Sequence, residues 1–162
     1  QFIVTPGFDP ELVAYAQEKN LPIYPGCTTP TDYHAALKFG LEVLKFFPAE
    51  QSGGLAKIKA MSAPFPQFKV MPTGGISLKN LSDYIAAPVI AACGGSYMVT
   101  ADLIEGQAWE EITRLCKKSR DIVEAARLGR TVKDIPAAMP ASGTELAPGQ
   151  YAESSIDTAQ KL

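Results

Sequence analysis

The chain has 162 residues and a mass of 17.3 kDa, enough for one domain with its own core and too short for two ordinary ones. Fifteen basic against seventeen acidic side chains leave a net charge of −2 and a sequence pI near 5.4, which argues against a nucleic-acid binder held by bulk positive charge. No apolar run approaches the roughly 20 residues of a membrane helix, and three scattered cysteines with a single histidine, His34, suit neither a disulfide framework nor a His-rich metal site, so a reducing cytoplasm is the expected compartment.

In chain order, the sequence opens on Gln-Phe-Ile-Val, with no Met and already inside a strand pattern, which reads as an N-terminal truncation. Short apolar runs then recur about every 20 residues, at 2–5, 21–24, 43–47, 68–71 and 89–93, each followed by Gly or Pro and then by a helical pattern. Asp9-Pro10-Glu11 places a capping carboxylate before a proline at the first helical position, and Leu12, Val13 and Ala16 line one face as far as Asn20. Thr29-Pro30, or Thr31, starts a second helix that Gly40 stops. Gly53-Gly54 opens a third, to about Ser62, and Ser77 is expected to cap a fourth, to about Ala86. Thr100 caps a short turn, and Trp109 to Leu128 is the longest helical stretch, with Gly129 as its stop. Val4-Thr-Pro-Gly-Phe-Asp-Pro10 and Tyr24-Pro-Gly-Cys-Thr-Thr-Pro30 form a weak repeat of strand, Pro-Gly turn, cap and helix. The alternation predicts an α/β fold with a parallel sheet and right-handed crossovers. Residues 130–162, with Pro136, Pro140 and Pro148 among Ala, Ser, Gly, Glu and Gln, are expected to be a disordered tail after a domain spanning 1–129.

Lys45 is the first residue whose chemistry stands out. In a strand it shares one face with Val43 and Phe47, while Leu44 and Phe46 share the other, so the strand is expected to be buried on both sides with Lys45 aimed inward. A desolvated ammonium loses its proton more readily, and a neutral amine is what Schiff-base chemistry with a carbonyl compound requires. The competing reading is a strand-end lysine that pairs with Glu50 or reaches to water. Two glycine turns form the second feature: Met71-Pro-Thr-Gly-Gly-Ile-Ser77 and Ala92-Cys-Gly-Gly-Ser-Tyr97. Glycine pairs let backbone N–H groups approach an anion, and two such turns after the last two strands of a β/α barrel make a phosphate cup. The alternative is that each pair merely supports a tight turn. His34 reads as a surface or half-buried residue, the cysteines as small core residues, and Trp109 as a packing anchor.

Lys45-Phe-Phe-Pro-Ala-Glu50, Pro72-Thr-Gly-Gly-Ile-Ser77 and Gly94-Gly-Ser96 together resemble the 2-keto-3-deoxy-6-phosphogluconate (KDPG) aldolase family, which includes 4-hydroxy-2-oxoglutarate (KHG) aldolases. The resemblance runs from about Phe2 to Lys118 and implies a (β/α)8 TIM barrel, of which this chain carries about five βα units, by resemblance the fourth to the eighth. It implies a homotrimer for the full-length protein and class I aldolase chemistry, with no metal and no cofactor beyond the covalent Schiff base. By the same resemblance Lys45 is the Schiff-base lysine. Pro6, Phe47 and Thr73 would line the pyruvate pocket, and Gly74, Gly75, Gly95 and Ser96 would hold the phosphate of a phosphorylated 2-keto acid. The family's general-base Glu, a carboxylate-binding Arg and a pyruvate-contacting Thr belong to its first three strands. No residue here inherits those roles, and the chain alone is expected to cleave weakly or not at all. A non-catalytic phosphate-binding half-barrel and another phosphate-binding barrel enzyme compete with this reading, and neither requires a buried strand lysine. No reading calls for nucleic acid or membrane as partner.

Overall fold

A computed structural model describes residues 1–129, so the tail expected over 130–162 lies outside the described residues. Strands and helices alternate: β1 (Ile3–Val4), α1 (Pro10–Glu18), β2 (Ile23–Tyr24), α2 (Pro30–Lys38), β3 (Val43–Phe46), α3 (Gly54–Ser62), β4 (Lys69–Pro72) and α4 (Leu81–Ile85), followed by α5 (Ala101–Glu105) and α6 (Trp109–Arg127). The two repeat units start their helices by the same device. The Asp9 carboxylate accepts from the N–H groups of Glu11 and Leu12, at 2.9 and 3.2 Å, ahead of Pro10. Thr29 and Asp32 form a reciprocal capping box around Pro30, with bonds of 3.2 and 2.9 Å.

All observed strand pairing is parallel. β1 pairs with β2, placing Ile3 beside Ile23, and β3 pairs with β4, placing Lys45 beside Met71. A bridge from Gly26 to Lys45 joins the two ladders, and bridges from Val70 to Ile90 and from Thr73 to Gly94 bring in the fifth run. The spatial order therefore follows the chain order, as right-handed βα units require. A Cβ at Gly26 would run into the Pro6 carbonyl, so only glycine lets the end of β1 lie against the end of β2.

Leu44, Phe46 and Val70 are fully buried between the sheet and the helices, among Tyr33, Ile58, Phe68 and Ile122. The Tyr33 ring meets Phe65 and Phe68 edge-on, each at 5.3 Å between centroids. A smaller cluster of Val13, Ala16 and Ile23 seats α1 on the first strands.

The structure corrects several expectations. The strand carrying Lys45 is buried on one side only: Leu44 and Phe46 face the helices, whereas Val43 and Lys45 are half-buried and Phe47 is 38% exposed, because the described strands do not close over that face. Ser77 does not cap the fourth helix directly. Its N–H donates to Asn80 Oδ1 at 2.8 Å and its hydroxyl accepts from Lys79, so a polar turn intervenes and the helix begins at Leu81. The run 89–93 makes bridges rather than a continuous ladder. Val70 donates to Val89 and accepts from Ala91, but the next donor in register would be Pro72, which has no N–H. The Ala91 carbonyl accepts instead from the Arg127 guanidinium at 2.9 Å. Pairing resumes with Gly94 donating to Pro72, so the fifth segment carries one residue more than β4 between its bridges. Trp109 is no anchor, being 57% exposed, and of the cysteines only Cys27 is buried, Cys93 being half-buried and Cys116 exposed.

Because Phe68 is buried against two aromatic rings, Phe68→Ala is expected to lower unfolding free energy by about 3–5 kcal/mol, whereas Trp109→Ala stays within about 0.5 kcal/mol. Urea unfolding of the two variants measures the difference.

Candidate active site

The residues singled out by their chemistry lie at one rim, the C-terminal ends of the parallel strands, where a β/α fold collects its loops. Lys45 is the third residue of β3. Its N–H donates to the Pro25 carbonyl at 2.9 Å and its carbonyl accepts from Cys27 at 2.8 Å, so its backbone is locked to the end of β2. Its side chain turns to the open face and carries Nζ to 4.6 Å from the centroid of the Phe47 ring, two residues on and on the same face. Burial pulls the Lys45 ammonium below the ordinary lysine value. Among the described residues no carboxylate pairs with it: Glu50, the partner that the sequence offered, accepts instead from the Tyr84 hydroxyl.

The first glycine turn continues directly from β4. Thr73 N–H donates to Phe46 at 2.9 Å, the Thr73 carbonyl accepts from Ala49 at 2.8 Å, and the Gly74 carbonyl accepts from Glu50 at 3.1 Å. The turn is thereby laced to the loop that follows Lys45. Gly74 and Gly75 have φ of +92° and +80°, a region that side chains strain to occupy, and a Cβ on Gly75 would lie 2.5 Å from Glu50 Cγ. The second turn adjoins the first: Gly94 packs on the Thr73 methyl group, and a Cβ on Gly95 would stand 3.4 Å from the Ile76 carbonyl. Within the described residues no hydrogen bond uses the N–H groups of Gly75, Gly95 or Ser96. Thr73 Oγ1 is buried and likewise has no partner there. An orphaned hydroxyl and a set of unused amides at one rim are equipped to receive an anion.

The structure thus gathers Lys45, Phe47, Thr73, Gly74, Gly75, Gly95 and Ser96 at neighbouring strand ends. Phe47 touches the first turn directly, its Cδ2 lying 3.3 Å from where a Gly74 Cβ would be. Pro6 stands farther off, exposed, with its carbonyl against Gly26, the residue that bridges to Lys45. Sequence reasoning passed over the Glu50–Tyr84 contact. Tyr84 reads as one more apolar position of a helix beside Leu81 and Ile85, and only the fold brings its hydroxyl to the loop after β3. Among the described residues no group of three or more His, Cys, Asp or Glu side chains is placed to hold a metal ion.

The direction of the Lys45 shift gives a test. Burial disfavours the charged form, so the amine deprotonates at lower pH than a lysine in an unfolded peptide. In a reductively methylated sample the Lys45 dimethylamine resonance is expected to titrate below the same resonance in urea.

A family model for KDPG and KHG aldolase matches residues 1–115. A 2-dehydro-3-deoxy-phosphogluconate aldolase of Haemophilus influenzae is 48% identical over 123 residues, 76% of this chain and 58% of that protein. Two solved structures resemble the fold. One is a KDPG aldolase of Legionella pneumophila with pyruvate captured as a covalent carbinolamine, 39% identical with a TM-score of 0.68 over 71% of this chain and 56% of that one. The other is a KDPG aldolase of Zymomonas mobilis with 3-phosphoglycerate, 35% identical with a TM-score of 0.62 over 70% and 56%. The chain spans a little over half the length of the curated relatives it matches. Its parallel βα units are those of a (β/α)8 fold, and the chain belongs to the KDPG and KHG aldolase family.

Proposed function

We propose that residues 1–129 form the part of a class I aldolase that captures a 2-keto acid as a Schiff base and holds its phosphate. The observation that carries this is Lys45, a half-buried strand lysine with no carboxylate partner among the described residues and a lowered ammonium pKa, set two strands before paired glycine turns. Its neutral amine attacks the C2 ketone of KDPG to give a carbinolamine. Loss of water yields an iminium, which accepts the electron pair of the C3–C4 bond as glyceraldehyde 3-phosphate leaves. Protonation of the resulting enamine and hydrolysis release pyruvate and restore Lys45. The iminium is itself the electron sink, so the chemistry needs no metal. The captured pyruvate of the Legionella enzyme supports the first step, and the 3-phosphoglycerate of the Zymomonas enzyme supports a phosphate site.

In this reading Phe47 walls the pyruvate end beside Nζ, with Pro6 at its edge. The unpartnered Thr73 hydroxyl borders it, and the amides of Gly74, Gly75, Gly95 and Ser96 take the phosphate. The phosphate cup favours KDPG, with 4-hydroxy-2-oxoglutarate as a second substrate that yields pyruvate and glyoxylate. The family's general-base Glu has no counterpart among these residues, and since base catalysis is worth roughly 10²–10⁴-fold, cleavage is the weaker readout and capture the stronger one. A homotrimer is the assembly proposed for the full-length protein.

Incubation with pyruvate and borohydride, followed by intact-mass analysis and peptide mapping, is expected to place one adduct on Lys45. Lys45→Ala should abolish the adduct and Lys38→Ala should leave it; equal yields from both variants would remove Lys45 from the mechanism. Gly75→Ala, strained by its positive φ and by Glu50, is expected to raise the half-saturating KDPG concentration for adduct formation by about tenfold. The pyruvate adduct should be little changed.

A further inference from the structure

Glu50 poses a problem of charge. It is an acidic residue directly beneath a turn that offers its amides to a phosphate, where a carboxylate works against binding unless it does something else. Its position shows what that is. Its Cβ and Cγ lie 2.6 and 2.5 Å from where a Gly75 Cβ would be, so its stem fills the space below the turn. Its own N–H donates to the Gly74 carbonyl at 3.1 Å. Its carboxylate accepts from the hydroxyl of Tyr84, a residue only 2% exposed whose helix also supplies Asn80, and Asn80 Nδ2 donates to the Gly75 carbonyl at 3.0 Å. Gly54, at φ +60°, leaves the room: a Cβ there would lie 3.1 Å from Glu50 Oε1 and 3.2 Å from the Tyr84 hydroxyl. Both carbonyls of the glycine pair are therefore held from the protein side, which keeps them turned from the ligand and leaves the amides facing it.

We propose that Glu50 and Tyr84 form a positioning pair that holds the Gly74–Gly75 turn in its phosphate-receiving shape, with Glu50 acting through the turn and touching no reacting atom. The inference rests on the phosphate-cup reading above and does not require the Schiff-base step. It explains why an acidic side chain is compatible with an anion site: its charge is spent on a buried hydroxyl that points away from the ligand. The second turn has its own tether, since the Tyr97 hydroxyl bonds Ser119 Oγ on α6 at 2.6 Å, so the pair governs the first turn specifically.

The test measures two ends of the site separately in the 162-residue chain. Inorganic phosphate affinity, by phosphorus NMR titration, reports the turn, and borohydride trapping of pyruvate on Lys45 reports the amine. Tyr84→Phe and Glu50→Ala are each expected to weaken phosphate binding by about fivefold or more, the scale of one hydrogen bond to a charged group. Glu50→Gln, which keeps an acceptor for Tyr84, should hold wild-type affinity within about twofold. Pyruvate trapping should be unchanged in all three. Unchanged phosphate affinity in Tyr84→Phe and Glu50→Ala would overturn the pairing. So would a Glu50→Gln loss equal to that of Glu50→Ala, or a parallel loss of trapping, which marks general damage. Absence of phosphate binding in the wild type would remove the cup and the proposal together. The expected phosphate pattern with no wild-type pyruvate adduct would support the pair and sink the Schiff-base reading alone.

Discussion

Parallel pairing of β3 with β4 fixes Lys45 beside Met71 and Phe46 beside Pro72, and it delivers both strands to the same rim. From that rim the chain leaves β3 as the 47–50 loop and leaves β4 as the first glycine turn, and the two continue to exchange hydrogen bonds through Ala49, Glu50, Thr73 and Gly74. The amine and the turn are therefore parts of one rigid backbone unit. The distance between a captured carbonyl and an anchored phosphate is set by strand geometry rather than by the reach of flexible side chains. That is the condition for binding energy at one end of a substrate to assist chemistry at the other.

The environment of Lys45 combines two opposing influences. Partial burial favours the neutral amine, while the face of the Phe47 ring stabilises the ammonium. A nucleophilic amine that must regain a proton during turnover is served by such a balance, since full desolvation would hold it neutral and a carboxylate partner would hold it charged. The assignment of Glu50 to Tyr84 matters here as well, because it removes the nearest acidic candidate from Lys45.

Where sequence carried the reading, it did so through local chemistry. Asp9-Pro10 and Thr29-Pro30 are complete capping signals within a few residues, and both helices start where those signals put them. The alternation Leu44, Lys45, Phe46 announced a strand with an odd inward residue, and the glycine pairs announced turns with positive φ. What local pattern could not convey was which faces are covered. The face of β3 bearing Lys45 carries the same apolar neighbours whether or not other strands close over it, and Trp109 has the same side chain whether packed or exposed. Nor could pattern join Glu50 to Tyr84 across 34 positions, or reveal that Pro72, legible as part of a motif, would interrupt the ladder to the next strand.

That interruption has a geometric outcome of its own. With Pro72 unable to donate, the fifth segment slips by one residue before Gly94 bonds again, a bulge in all but name. Side chains beyond such a slip change faces, so the orientation of Ser96 and the height of the Gly95 amide are set by chain length between Ala91 and Gly94 rather than by side-chain identity. A relative that kept both glycine pairs but lost that one residue would retain the motif and present a differently shaped cup. Spacing, as much as composition, is therefore the inherited variable through which this fold can retune the anion it accepts.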